Sequence, residues 1–430
     1  MTSLQRVTQA GALPACRRRP VRLAVAGWAG LIALAVTFGL ISEPDRRLKL
    51  GNVPPFIGHA RLVPPGRWVL PAAVAVLLVA VLPVVAERWP WRRLLPASSV
   101  AAAGWAVVLA TTDGWSRLWT PLQDPWEYRS TLPALRRGVG PFLETFTTAL
   151  PSYSTHTQGH PPGPVLVLDG LSHLGLPGAG WEAVLVIAAG SSATAAVAIV
   201  VRRLADEATA RRALPFLVLA PTALWVATSM DAFFLGVTAW GVTLLVLADR
   251  SRVVALAAGL LLGVSLYLSY ALVALAPLAL VAARDRARSL PVAAAGGGVV
   301  VAAFSAAGFS WPSGLTATHA AWAAGVGPIR PYGYFLLADL ALLGVLVGPA
   351  GAAGLARLGD RRLWPVVGAV LLAVAVSDLG GFERGEVERI WLPFAPWLLI
   401  SAAALPTPRR WLAAQAAVAL AVQLVVLSLW

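Results

Sequence analysis

Apolar runs separated by short polar turns extend along almost the whole chain. Residues 23–41, 69–85 and 183–201 each approach the length needed to cross a hydrocarbon core about 30 Å thick. The pattern predicts an all-α polytopic membrane protein with about 13 transmembrane helices. They fall at 22–42, 67–87, 96–112, 181–201, 213–229 and 232–249, in two short helices dividing 253–283 near Ser269 and Tyr270, and at 290–309, 334–355, 363–377, 389–404 and 410–428. Residues 1–21 read as a basic cytoplasmic tail and 22–430 as one transmembrane domain.

The longest interruption runs from 113 to about 162, or to 180 with a short apolar run at 164–176. Loops of this length without structure are uncommon, and are usually functional. Within it Leu132, Leu135, Val139, Leu143, Phe146 and Leu150 recur at helical spacing, which predicts an amphipathic helix lying on the membrane. The run 164–176 contains Asp169 and His173 and reads as a second interfacial or re-entrant segment.

Charge sets the orientation. The sequence is 58% hydrophobic and 13% charged, about half the charged share of a soluble domain. Its net charge of +14 is scattered in arginine clusters between apolar runs, including Arg92–Arg93, Arg202–Arg203, Arg211–Arg212, Arg361–Arg362 and Arg409–Arg410. That is the distribution of cytoplasmic loops, not of a nucleic-acid patch. It predicts a plasma-membrane protein with its N-terminus cytoplasmic and the 113–180 loop extracytoplasmic. The loop between the first two helices, with Arg46, Arg47, Lys49 and Arg61, breaks the rule. The single cysteine, Cys16, excludes an intramolecular disulfide and a cysteine metal site.

Three polar constellations then share the extracytoplasmic face. They are Asp124-Pro125-Trp126-Glu127-Tyr128, the segment from Thr155 to Gly163 with His156 and His160-Pro161-Pro162, and Glu383 to Pro393 with Glu386 and Arg389. Asp231, at the predicted turn between two helices, joins them, and Arg330 lies in a neighbouring outside loop. Each residue has an ordinary reading as well. Asp124 could cap a helix, the prolines after His160 could stiffen a loop, and Glu386 and Arg389 sit one helical turn apart and could simply pair. A divalent metal held by His156, His160 and an acid is conceivable, but no spacing is diagnostic and no metal ligand is assigned.

The order of these parts resembles the GT-C membrane glycosyltransferases that use polyprenyl-phosphate sugars, such as protein O-mannosyltransferases and lipid A aminoarabinose transferases. The match runs over about 97–404. Asp124 with Glu127 and Tyr128 matches the family's acidic motif, His160-Pro161-Pro162 its second motif, Asp231 its later acid, and Glu386, Arg389 and Pro393 its last motif. The acids are split as Asp-Pro-Trp-Glu where many members have them adjacent, and two helices precede the family's first, which makes Asp45 a rival for the acidic position.

The resemblance implies a GT-C-like fold and an enzyme that moves a sugar from a polyprenyl-phosphate donor to an extracytoplasmic acceptor. Asp124 would be the general base, with Glu127 and Asp231 beside it. Tyr128, His156, His160, Arg330, Glu386 and Arg389 would contact donor or acceptor, and Arg389 and Arg330 would stabilise the leaving phosphate. No nucleotide cofactor is expected. A transporter or flippase for lipid-linked sugars, or a non-catalytic subunit of cell-envelope assembly, are the competing readings. No residue decides between mannose and arabinofuranose.

Overall fold

The computed structural model describes residues 15–42, 47–249, 251–381 and 383–430. Asp45 and Arg46 lie outside the described residues. The described chain is helical apart from turns and one short antiparallel pair of strands, Gly58–Ala60 with Val426–Ser428. Five helices are long and apolar enough to cross a bilayer: Arg19–Ser42, Pro65–Arg88, Trp91–Asp113, Ala179–Leu204 and Tyr332–Leu355. The helices Leu290–Ala306 and Trp311–Ala324, bent by 69° at their junction, make a sixth if taken as one span. Shorter apolar helices, among them Asp231–Leu247, Arg252–Leu268 and Trp364–Gly380, pack among them. At 1.5 Å per residue a helix of 17 residues reaches about 26 Å, just short of the hydrocarbon thickness. The outer faces carry leucine and valine, Leu23 at 64% and Val76 at 71% exposure, which is a lipid-facing surface.

Proline breaks two of the expected helices. The stretch 213–229 divides into Glu207–Val218 and Ala223–Val226, with Pro221 in the gap. The stretch 389–404 divides into Val387–Ile390, Ala395–Leu399 and a 3-10 turn Ile400–Ala404, with Pro393 in the first gap. Proline has no N–H to donate and disfavours helical backbone in the residue before it. The segment 310–333, expected as a loop, holds the helix Trp311–Ala324.

The helix Tyr332–Leu355 turns at Gly348, whose φ of 62° is in the left-handed region. Gln415, fully buried on the helix Pro408–Val425, mends the break. Its Nε2 donates to Val347 O at 3.0 Å and its Oε1 accepts from Ala350 N at 3.2 Å.

The helix expected over 132–150 forms only in its second half. A 3-10 run, Tyr128–Arg137, leads through Gly138 into the helix Val139–Ala149, which buries Phe142, Leu143 and Phe146. The helix Gly163–His173 follows. Its first residue lies so close to the helix Arg252–Leu268 that a Cβ there would sit 2.1 Å from Tyr267 O.

Polar contacts gather at two opposite ends. At one, Arg362 pairs with Asp206 at 2.7 Å, Arg286 with Asp249 at 3.3 Å, and Arg211 donates to Ala86 O and Trp89 O. These contacts tie together the turns that carry the arginine clusters. At the other end lie the strand pair and the turns of the 113–162 segment. There Arg61 pairs with Asp113, so the arginine that broke the charge rule has a carboxylate beside it.

Candidate functional site

The chain from Asp124 to Tyr128 turns tightly, with Glu127 N donating to Asp124 O at 2.9 Å. His156 N donates to Trp126 O at 2.9 Å, which joins the two ends of the long loop. His156 rides on the short helix Thr155–Gln158. That helix is fixed by a cluster of hydroxyls in which Thr131 and Thr157 lie 2.9 Å apart and Ser154 and Thr157 likewise 2.9 Å apart. His160 follows one turn later, its Nδ1 2.8 Å from His156 O. A carbonyl only accepts, so Nδ1 carries the proton. Burial pushes His160 down to about 4, so the ring is neutral at ordinary pH.

Arg389 is the hub. Its Nη1 donates to Asp231 Oδ2 at 2.9 Å, and its Nη2 to Glu386 Oε2 at 2.6 Å and His156 Nε2 at 3.1 Å. A guanidinium has no acceptor, so His156 Nε2 receives this bond and its proton sits on Nδ1. That Nδ1 lies 3.0 Å from Glu127 Oε1, within charge contact but off the hydrogen-bond direction. Asp231, the first residue of its helix, also accepts from Ser229 Oγ at 2.7 Å. The Arg389 guanidinium carbon stands 4.8 Å over the Trp430 ring, and Trp430 Nε1 donates to Glu388 Oε1 at 3.2 Å.

Tyr128 closes the network from the loop side. Its ring centroid is 5.7 Å from His156, 5.4 Å from His160 and 6.5 Å from Phe234. Its hydroxyl is buried without a hydrogen-bond partner, as is Arg389 Nε. Burial, with the charge of Asp231 behind it, pushes the Tyr128 hydroxyl well above its usual range.

Arg330 joins through Glu386, 3.7 Å from Oε1. Its other bonds go to the carbonyls of Leu48, Lys49 and Arg384, which anchor the 47–50 segment. Glu386 sits at φ 67°, a left-handed backbone that turns its carboxylate back toward both arginines. Burial opposes its charge, yet Arg389 and Arg330 hold it below the usual carboxylate range.

Asp124 differs from the other three acids. It is half-buried, and its carboxylate makes no hydrogen bond or ion pair to the described residues. Partial burial and the charge of Glu127 raise it, while Arg117 and His156 pull it back. An accessible, slightly basic carboxylate therefore stands at the edge of a network whose remaining acids are already engaged.

Asp124, Glu127, Tyr128, His156, His160, Asp231, Arg330, Glu386 and Arg389 all lie at this end, and all but Asp124 are joined by direct contacts. Sequence reasoning missed Trp430 and Arg117, and gave Glu388, inside the third constellation, no role of its own. Trp430 is one of 18 tryptophans and nothing in its neighbours marks it; Arg117 reads as an isolated loop charge. Among the described residues no group of three or more His, Cys, Asp or Glu side chains is placed to hold a metal ion. The donor set does not suit one either, since His156 Nε2 faces a guanidinium.

The chain matches no protein-family model, no curated protein and no solved structure.

Proposed function

We propose that the protein is a GT-C-like integral membrane glycosyltransferase with about 13 spans, acting at the extracytoplasmic face on a polyprenyl-phosphate sugar donor. One observation carries the reading. Four separate stretches of chain, around residues 124–128, 156–160, 231 and 386–389, meet in one polar network at one end of a helical bundle. Only Asp124 of its four acids is left without a side-chain partner.

In the reaction an acceptor hydroxyl gives its proton to Asp124 as its oxygen bonds to the anomeric carbon of the sugar. The bond from that carbon to the phosphate oxygen breaks, and polyprenyl phosphate leaves with the electron pair. A base must lie within hydrogen-bond reach of the proton it takes, and Asp124 is the accessible carboxylate. Glu127 acts on Asp124 through its charge. Asp231 and Glu386 hold Arg389 in place, so Arg389 and the histidines form a fixed wall, with Tyr128 packed against it. The acceptor is a cell-envelope glycan, glycolipid or protein.

The test is transfer by purified, reconstituted protein given a polyprenyl-phosphate sugar and an envelope acceptor fraction. Asp124→Asn should lower kcat by about 100-fold or more, the usual contribution of a general base. Full activity in that variant removes Asp124 from the role. Movement of labelled donor across liposomes without transfer makes the protein a transporter. Mass spectrometry of envelope glycans from a deletion strain would identify sugar and acceptor.

A further inference from the structure

Arg389 aims its planar guanidinium in several directions at once, Nη1 at Asp231 and Nη2 at Glu386 and His156. Bonds made in the plane of the fork do nothing for its two faces. Trp430 covers one of them, with the guanidinium carbon 4.8 Å from the centroid of its ring. The same indole stands 5.9 Å from the His156 ring, centroid to centroid, and its Nε1 donates to Glu388 Oε1 at 3.2 Å. Glu388 is fully buried, and its second oxygen has no hydrogen-bond partner among the described residues. One side chain, 6% exposed, therefore stands against the hub, a histidine and a buried acid.

Trp430 is tied down by the segment before it. Arg61 N and Val63 N donate to Val425 O and Leu424 O at 3.0 and 3.3 Å. Val426–Ser428 then pairs with Gly58–Ala60, where a Cβ on Gly58 would lie 2.2 Å from Leu427 O. Two arginines add to the hold: Arg61 Nη2 donates to Gln423 O at 2.7 Å and Arg117 Nη2 to Ser428 O at 3.3 Å. An aromatic side chain on a fixed backbone has only two torsions left to set, and the bond from Nε1 to Glu388 fixes them. A guanidinium prefers to stack on an aromatic face. The stack resists tilting of the Arg389 fork, and so keeps Nη2 on His156 Nε2. His156 in turn donates its backbone N–H to Trp126 O at 2.9 Å, two residues from Asp124.

We propose that Trp430 is a positioning residue: its indole holds the Arg389 fork, the fork holds His156, and His156 holds the loop that carries Asp124. Trp430 suits this place because it offers a ring to the guanidinium and an N–H to Glu388. Leucine would fill the space but would neither stack nor donate. Phenylalanine would stack and not donate. The effect on transfer rests on the function proposed above; the hold on His156 does not.

The experiment has two readouts on the purified full-length protein. The first is the nitrogen NMR spectrum of protein labelled with 15N at its 5 histidines, with the His156 signals assigned by their loss in His156→Gln. In wild type, His156 Nε2 should appear as an unprotonated nitrogen accepting a hydrogen bond. That resonance should move in Trp430→Leu and keep its wild-type position in Trp430→Phe. The second is transfer kinetics, with rates normalised to folded protein. Trp430→Leu should lower kcat about tenfold or more and change KM for the polyprenyl-phosphate sugar by less than about twofold, since a misplaced wall slows the reaction without touching the donor. Trp430→Phe should lose no more than about threefold in kcat, because the stack remains. An unmoved His156 resonance in Trp430→Leu overturns the proposal, and so does an unchanged kcat in an active protein. If Trp430→Leu does not fold, a displaced resonance in Trp430→Phe overturns it. A His156 resonance that follows residue 430 in a protein without transferase activity keeps the hold on His156 and removes the transfer reading.

Discussion

Arg389 and Asp231, 158 residues apart in sequence, form a 2.9 Å ion pair with 4% and 3% of their side chains exposed. Removing one partner of such a buried pair leaves an uncompensated charge and typically costs about 3–5 kcal/mol. Arg389→Ala should therefore sharply lower the Tm of the detergent-solubilised protein. Arg389→Lys should recover little, because an ammonium cannot serve Asp231, Glu386 and His156 from one planar fork. Asp231→Asn should be milder, since Glu386 still balances the guanidinium. Equal Tm values for wild type and Arg389→Ala would show that the pair is not formed.

Asp124 sets a pH dependence with a defined sign. A general base works deprotonated, so activity falls as pH drops through its pKa. Burial and Glu127 raise that pKa, so the acid limb of kcat/KM should lie above the ordinary carboxylate range. Glu127→Gln removes a raising charge and should move the limb to lower pH. Arg117→Gln removes a lowering charge and should move it to higher pH. Limbs that move together in the same direction would dissociate Asp124 from the profile.

Glu388 makes a separate prediction about stability. Burial pushes it up to about 7, against 4.5 for an ordinary glutamate. Between those values the folded state holds a proton that the unfolded chain has lost, so stability falls as pH rises from 4.5 to 7. Glu388→Gln, which can still accept from Trp430 Nε1, should flatten the slope of Tm against pH in that window.

Much of the architecture is legible from periodicity alone. The helix Ala179–Leu204, the division of 253–283 at Ser269 and Tyr270, and the helix Val139–Ala149 all follow from where apolar residues recur. The broken stretches 213–229 and 389–404 were harder, because apolar content masks what Pro221 and Pro393 do to the backbone. In the site, the charged and histidine residues stand out because ionisable groups are rare in apolar sequence. Trp430 does not, since its role depends on what the fold places beside it. The pairing of Gly58–Ala60 with Val426–Ser428 has no local sign at all, because strands of three residues carry too few positions to show alternation.

Gln415 tests how the bend at Gly348 is held. Gln415→Leu would strand Val347 O and Ala350 N in apolar surroundings, where each unsatisfied backbone group costs several kcal/mol. The variant should melt well below wild type. Gly348→Ala should also destabilise, since its Cβ would lie 2.0 Å from Gln415 Oε1. An unchanged Tm in Gln415→Leu would mean that the bend holds without it.

The long sequence separations in the Arg389 network also bear on biosynthesis. A ribosome adding about 5–20 residues per second delivers Asp231 to the membrane roughly 8 to 30 s before Arg389 emerges. Over that interval Ser229 is the one side chain in the finished contact set available to the carboxylate. His156, 233 residues before Arg389, waits still longer for that bond. The ion pairs of the network therefore cannot form until Arg389 has emerged, after most of the helical bundle has been delivered.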